Sequence, residues 1–457
     1  RPRMRNTAKL TISVALIILG ASLAIAATST QSPAGPTDGI IIDFGGRDIT
    51  FVSVDLSERP DALSALTYAC DAEGFQIGYN NSTVYSIDSK PDSGGTASWG
   101  LYVTKIGDRT WTKVDGDPSE ILVANYSAVA WALCAEGGSP TPAVDSTGVS
   151  YYGYPVAKRV ITLAPSVTET VVAIGGLNAI VGTDLYSDFP MSVVEAQIKG
   201  RIAIVGGYSN PSFELILKQN PDLVVCISSQ ASHVAMADKL RNKGVNVIVT
   251  NDGESIDTIL DNTHMVGTGM GYEMGSKRVI DSLNDALNAI QGTLDDDNLK
   301  RYPSVMVALS TDKAPWVSGS DTYLSDILEF NYATNAYDSI NGWQQVNSES
   351  IFKYNPEYIL IVGYEGEPNE ADYQKLLDGL PAEWKRTDAF KNGDIYVFEE
   401  SSASLASRPS PRAAQITELV ARILHPGSFG DGIVVPKYIG DDFRDYLTIT
   451  KEMNYDE

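Results

Sequence analysis

The sequence predicts an α/β protein of two related lobes joined by one long helix and preceded by a small α+β domain. Three observations carry this. First, two segments match without a gap. Glu214-Leu-Ile-Leu-Lys-Gln-Asn-Pro-Asp-Leu-Val-Val225 and Glu349-Ser-Ile-Phe-Lys-Tyr-Asn-Pro-Glu-Tyr-Ile-Leu360 share Glu, Ile, Lys, Asn and Pro. Each copy reads as a short helix, an Asn-Pro turn and a buried strand, because the residue before a proline is pushed out of the helical region. An aromatic residue, Tyr208 or Trp343, stands six positions before each glutamate. Second, from Arg159 onward short apolar runs alternate with amphipathic patterns, which implies parallel sheets covered by helices on both faces. Third, a proline-free helical pattern over 255–297 separates the two copies. A cleft between two such lobes is a natural ligand site.

The elements follow in chain order. Arg1, Arg3, Arg5 and Lys9 precede an apolar or small-residue run from Leu10 to Ala27, which reads as a signal peptide or an N-terminal membrane anchor over 1–27. No cysteine follows that run, which argues against lipid anchoring. Residues 28–39, rich in Ser, Thr, Pro and Gly, read as a linker. A small α+β domain is expected over 40–136, with a helix at Asp61–Glu73 and strands at Trp99–Ile106, Ile121–Tyr126 and Val129–Ala135. A second linker is expected over 137–155, centred on Gly-Gly-Ser-Pro-Thr-Pro. The first lobe takes 156–254, with strands at Arg159–Leu163, Leu223–Ile227 and Val245–Thr250. The connecting helix takes 255–297, and its glycines between Gly267 and Gly275 are candidate interruptions. The triplet Asp295–Asp297 reads as a solvated helix end. The second lobe takes 298–426, with strands at Val305–Leu309, Tyr358–Val362 and Asp394–Phe398, and a C-terminal tail takes 427–457. Asn81-Ser82-Thr83 and Asn125-Tyr126-Ser127 are weak glycosylation signals.

Composition excludes several functions. At 43% hydrophobic and 20% charged residues the chain is an ordinary globular protein, and 457 residues are too many for one core. A net charge of −24 repels nucleic acid and anionic lipid. Three cysteines leave at least one thiol unpaired in an exported protein; Cys70 and Cys134 are a candidate disulfide and Cys226 a buried thiol. Three scattered histidines do not build a His-rich zinc cage, and no Cys-x-x-Cys, Gly-x-Ser-x-Gly, Walker or His-Glu-x-x-His motif occurs. No catalytic residue, resident metal or cofactor is therefore assigned. Rival readings are a surface tetrapyrrole chelatase, for which His233 is the only candidate base, and an adhesion protein.

Five motifs then point to a family: Arg159-Val-Ile-Thr-Leu-Ala-Pro-Ser-Val-Thr-Glu169, Tyr186-Ser-Asp-Phe-Pro190, Val205-Gly-Gly-Tyr208, Asn220-Pro-Asp-Leu-Val224 and Ser407-Arg-Pro-Ser-Pro-Arg412. Through them, residues 156–426 resemble the ABC-importer substrate-binding proteins for cobalamin, ferric siderophores and haem. The resemblance implies a two-lobe periplasmic-binding-protein fold outside the cytoplasmic membrane, secreted or tethered, and monomeric when free. It also implies partnership with a permease and its ATPase subunit. The ligand is cargo rather than a cofactor, with a corrinoid preferred and haem or a ferric siderophore as alternatives. In the cobalamin branch aromatic side chains clamp the flat ring, which makes Tyr186, Tyr208, Trp316 and Trp343 the candidates; core packing is the competing role for each. Arg408 is the candidate for an anionic group of the ligand, and His233 for the rim or a metal centre. Glu214 and Glu349 would meet arginines of the permease, although each also suits the positive end of its own helix. Residues 40–136 are similar to the small C-terminal domain of animal cobalamin carriers, an impression carried by Trp99-Gly-Leu-Tyr-Val103 and the helix before it.

Overall fold

The computed structural model describes residues 39–453 except 47, 81–82, 91–95, 106–107, 109, 297–301, 364–365 and 367–368. The signal or anchor at 1–27, residues 28–38 of the first linker and the Asn81-Ser82 half of one glycosylation signal lie outside the described residues, as does Asp297; Gly39, expected to end the linker, opens the first strand. Among the described residues no helix is long and apolar enough to cross a membrane.

The small domain is one mixed sheet with a helix on one face. Its elements are β1 (Gly39–Asp43), β2 (Ile49–Ser53), α1 (Ala62–Glu73), a β3–β4 hairpin (Ile77–Asn80, Thr83–Ile87), β5 (Ser98–Lys105), β6 (Thr112–Val114) and β7 (Tyr126–Cys134). The strand order is β2-β1-β7-β5-β6. Period-two alternation sends Ile40, Ile42, Val129 and Trp131 to the α1 side, and Ile41, Ala128 and Ala130 into the core shared with the next domain. The expected strand at Ile121–Tyr126 is instead a 3₁₀ turn at Val123–Asn125. Its backbone serves the entry of α1: Ala62 N donates to Ile121 O and Val123 N to Pro60 O. Cys70 and Cys134 are both free thiols, so the candidate disulfide is absent.

The segment over 137–155 is a packed strap rather than a free linker. Tyr151 and Tyr152 are buried and stacked at 4.7 Å, and Tyr152 Oη lies 2.9 Å from His264 Nε2. The Asp145 carboxylate is buried, accepts from Thr147 N and Val249 N, and pairs with Arg241 at 2.6 Å. A satisfied buried carboxylate of this kind fixes the strap to the first lobe. The small domain and that lobe therefore share one continuous core.

The first lobe holds β8 (Val160–Thr162), α2 (Pro165–Ala173), β9 (Ile180–Thr183), α3 (Met191–Ile198), β10 (Ala203–Ile204), a short β11–β12 pair (Gly206–Gly207, Asn210–Pro211), α4 (Phe213–Lys218), β13 (Leu223–Ile227), α5 (Ala231–Arg241) and β14 (Asn246–Thr250). Its parallel sheet runs β10-β9-β8-β13-β14. The connecting segment is two helices: α6 (Ile256–Met270) and α7 (Glu273–Asp296). Gly271 takes φ 73° and caps α6, and a Cβ on Gly267 would sit 2.3 Å from Ser276 Cβ, so small residues let the chain double back. Ile256 and Leu260 share a groove with Leu287 and Gln291, which makes the pair antiparallel. α7 bridges the lobes, at about 36 Å for its length, and the start of α6 is tied to the second lobe where Ile256 N donates to Asp326 Oδ2.

The second lobe holds β15 (Ser304–Ala308), β16 (Trp316–Ser318), α8 (Tyr323–Phe330), β17 (Thr334–Asn335), β18 (Trp343–Gln345), α9 (Ser348–Tyr354), β19 (Tyr358–Ile361), α10 (Glu370–Gly379), α11 (Asp388–Asn392), β20 (Ile395–Phe398), α12 (Glu400–Ser407), α13 (Ala413–Leu424), α14 (Pro426–Phe429) and β21 (Tyr438–Ile439). Its sheet runs β18-β16-β15-β19-β20-β21, with β17 beside β15. The stretch expected as a tail is part of this lobe: β21 extends the sheet, and the buried Glu418 carboxylate accepts from the backbone of Thr448, Ile449 and Thr450.

Candidate functional site

In a parallel sheet the loops after the strands gather at one edge, and ligands bind there. Both lobes turn that edge toward each other. From the first lobe come Pro165 and Ser166 after β8, Tyr186 after β9, Ser229 after β13, and Asn251, Asp252 and Gly253 after β14. From the second come Leu309 after β15, Val362 after β19, and Ser407, Arg408 and Pro409 after α12. They line two adjoining cavities, about 790 and 1250 Å³ with the open space at their mouths included, that share Ser229, Asp252, Gly253, Ser407 and Pro409. Gly253 is required at this junction, since a Cβ there would fall 2.2 Å from the Pro409 Cβ of the opposite lobe.

Tyr186 and Tyr208 line the first cavity and Trp343 the second, so three of the four aromatic candidates reach the cleft from opposite lobes. Trp316 does not line either cavity. It sits in β16 opposite Gln345, half-buried against the main core. His233 also lies outside the cleft lining. It is fully buried on α5, its Nε2 donates to Tyr208 O at 2.6 Å, and its ring meets the Tyr208 ring edge-on at 5.4 Å. Burial pushes its pKa down to about 4, so it is a neutral prop behind Tyr208 and not a rim ligand.

Arg408 lines the cleft, but its charge is already committed. Nη1 lies 3.1 Å from Glu169 Oε1 and 2.8 Å from Asp188 Oδ1. Arg412 grips the same glutamate from below through Nε to Oε2 at 2.9 Å and Nη2 to Oε1 at 2.7 Å, with the Phe189 ring 4.0 Å from its guanidinium. Glu169 belongs to α2 of the first lobe, and both arginines belong to the α12–α13 loop of the second. The cluster is a buried latch between the lobes. Burial works against the Arg408 charge, yet Asp188 and Glu169 outweigh it and raise the Arg408 pKa.

Asp184, beneath Tyr186, accepts from Ser187 Oγ at 2.5 Å and Tyr186 N at 2.8 Å. Burial overrides these bonds and pushes its pKa up to about 7. Its contribution to stability should therefore fall as pH rises from about 4 to about 7, where the unfolded carboxyl ionises before the folded one, and level off above. Glu399, at the start of α12, is also raised by burial to about 7. The variant Asp184→Asn should accordingly lessen, not remove, the slope of melting temperature against pH, and melt higher than the parent at pH 8. An unchanged slope would place the titration elsewhere.

Glu214 and Glu349 are exposed in the first turns of α4 and α9, one on each lobe, behind the side-chain caps Ser212 and Asn347. Sequence reading missed Asp252, Asp321 and Tyr323. They are isolated residues in loops or at a helix start, without periodicity, and only the cavity that they line marks them.

Comparison with known proteins places the chain. The family model described as periplasmic binding protein matches residues 160–401. An ABC transporter substrate-binding lipoprotein of Bacillus subtilis is 28% identical over 273 residues, 60% of this chain and 81% of that protein. A cobalamin-binding protein of Halobacterium salinarum is 22% identical over 62% of this chain and 73% of its own. The crystal structure of a periplasmic solute-binding protein from Staphylococcus epidermidis, described as iron-binding, superposes with a TM-score of 0.51 at 27% identity, over 59% of this chain and 100% of that one.

Proposed function

The chain belongs to the periplasmic binding protein family, and on that premise we propose that it captures a corrinoid between its lobes and delivers it to a membrane permease. It is the extracytoplasmic substrate-binding subunit of an ABC importer of the cobalamin, siderophore and haem class. Its ligand is carried, not transformed, and should be recovered chemically unchanged after release.

The observation that favours a corrinoid is the pairing of aromatic walls with a cleft that offers no uncommitted cation among the described residues. Tyr186 and Tyr208 stand on one side and Trp343 on the other, so flat apolar faces meet aromatic faces at low entropic cost. Arg408 is the one basic residue among those lining the cavities, and two carboxylates already neutralise it. Haem bears carboxylates and many ferric siderophores are anionic, so both would enter against the field of the cleft. Haem iron would also find no histidine among the lining residues.

Titration of the purified protein with cyanocobalamin, haemin and ferric citrate, followed by visible absorbance, tests the reading. A one-to-one spectral change with cyanocobalamin alone is expected; saturation by haemin or ferric citrate instead would reject it. Trp343→Ala should weaken corrinoid binding more than tenfold, because one of the two ring faces loses its aromatic contact. Calorimetry showing unchanged affinity would remove Trp343 from the site.

A further inference from the structure

Resting on the corrinoid reading, we infer that the cleft recognises the amide fringe of the macrocycle through Asp252 and Asp321, and rejects the same ring when it carries carboxylates.

The corrin ring is edged by acetamide and propionamide arms. A primary amide offers N–H donors without charge, whereas the corresponding acid is an anion at neutral pH and offers acceptors only. The cleft is built for the former. Asp252 lies where the two cavities meet, and Asp321 lines the second-lobe side. One oxygen of Asp252 accepts from Ser228 Oγ and one of Asp321 from Asn341 Nδ2. The other oxygen of each is without a hydrogen-bond partner among the described residues and is available to an N–H on the ligand.

Against these two stands little positive charge. Arg408 is held by Glu169 and Asp188, and with Arg412 on the same Glu169 the cluster carries two charges of each sign and is neutral overall. The N-terminus of α2, whose Pro165 and Ser166 line the cleft, has no side-chain cap. It contributes about half a positive charge, against two full negative ones. The carboxylates win. Two like charges about 5 Å apart at an effective dielectric near 20 repel by the equivalent of roughly 100-fold or more in affinity.

The test uses two probes that share ring and cobalt: dicyanocobinamide, whose arms are amidated, and dicyanocobyrinic acid, whose arms are free acids. Each is titrated into the full chain at low salt. Cobinamide should bind at least 100-fold more tightly, and the ratio should shrink in high salt. In the double variant Asp252→Asn, Asp321→Asn the ratio should fall below tenfold, with an unfolding midpoint close to the parent's as the control on folding. Single variants serve if the double one is destabilised, and each should lower the ratio. Equal affinity for both probes, or tighter binding of the acid, overturns the inference while leaving the corrinoid reading intact. A full ratio in folded variants overturns the role of these two residues. Binding of neither probe overturns the corrinoid reading itself, and this inference with it.

Discussion

Glu169→Gln is expected to cost about 3–5 kcal/mol of folding stability, the typical loss when one partner of a buried ion pair is removed. Both oxygens of Glu169 are occupied by Arg412, and one also by Arg408. All three side chains are at least 95% buried, so the amide would leave a guanidinium stranded without its counter-charge. Arg408 still has Asp188; Arg412 has no other acid among its described partners, so the cost falls on it. The informative control is a Glu169→Met, Arg412→Met double variant. Removing both charges should cost less than removing one, since burying an ion pair is itself expensive. Urea unfolding of the full chain measures both. A loss below about 1 kcal/mol in the single variant would show that the latch is not stabilising.

The second large effect is on delivery. Replacing Glu214 and Glu349 together by lysine should abolish transport while leaving ligand affinity unchanged. Each glutamate is exposed at the start of a short helix, one per lobe. Two acids held apart by a rigid body form a two-point charge pattern, which sets docking orientation more than affinity for small molecules. Helix-end stabilisation alone predicts something different: a melting change of a few tenths of a kcal/mol per site and intact transport. Vesicle uptake beside calorimetry separates the two, and uptake that persists in the double variant would end the docking assignment.

Much of the fold was legible because it is written in periodicity. The buried runs Leu223–Ile227, Val305–Leu309 and Tyr358–Val362 are continuous apolar segments, as strands covered on both faces must be, and each contains or overlaps an observed strand. The internal match from Glu214 and Glu349 brought two elements on different lobes into correspondence without any knowledge of contacts. The connecting segment was harder. An apolar stripe over 255–297 is the same whether the helix runs straight or folds on itself, and only the left-handed Gly271 decides. The strap over 137–155 looks like a linker in composition, yet Asp145 satisfies the Thr147 and Val149 N–H groups from within, and Asp43 and Val249 take those of Thr141 and Ser146 from outside. In the cleft the aromatic candidates could be proposed from the repeat, but His233 and Trp316 carried no sign of facing elsewhere. Arg408 also read as a free cation because Glu169 lies 239 positions away in sequence.

The contact of Gly253 with Pro409, beside the Glu169 latch, has a mechanical consequence. Where two rigid bodies touch at a single bridging helix, opening and closing cost little. Here they also meet backbone to ring where the two cavities join and through a buried charge cluster, and both contacts resist opening of the cleft. Little ordering remains to be done on capture, which favours slow escape of the cargo. Emptying the cleft then becomes a task requiring external work. The natural source of that work is the nucleotide-driven partner in the membrane.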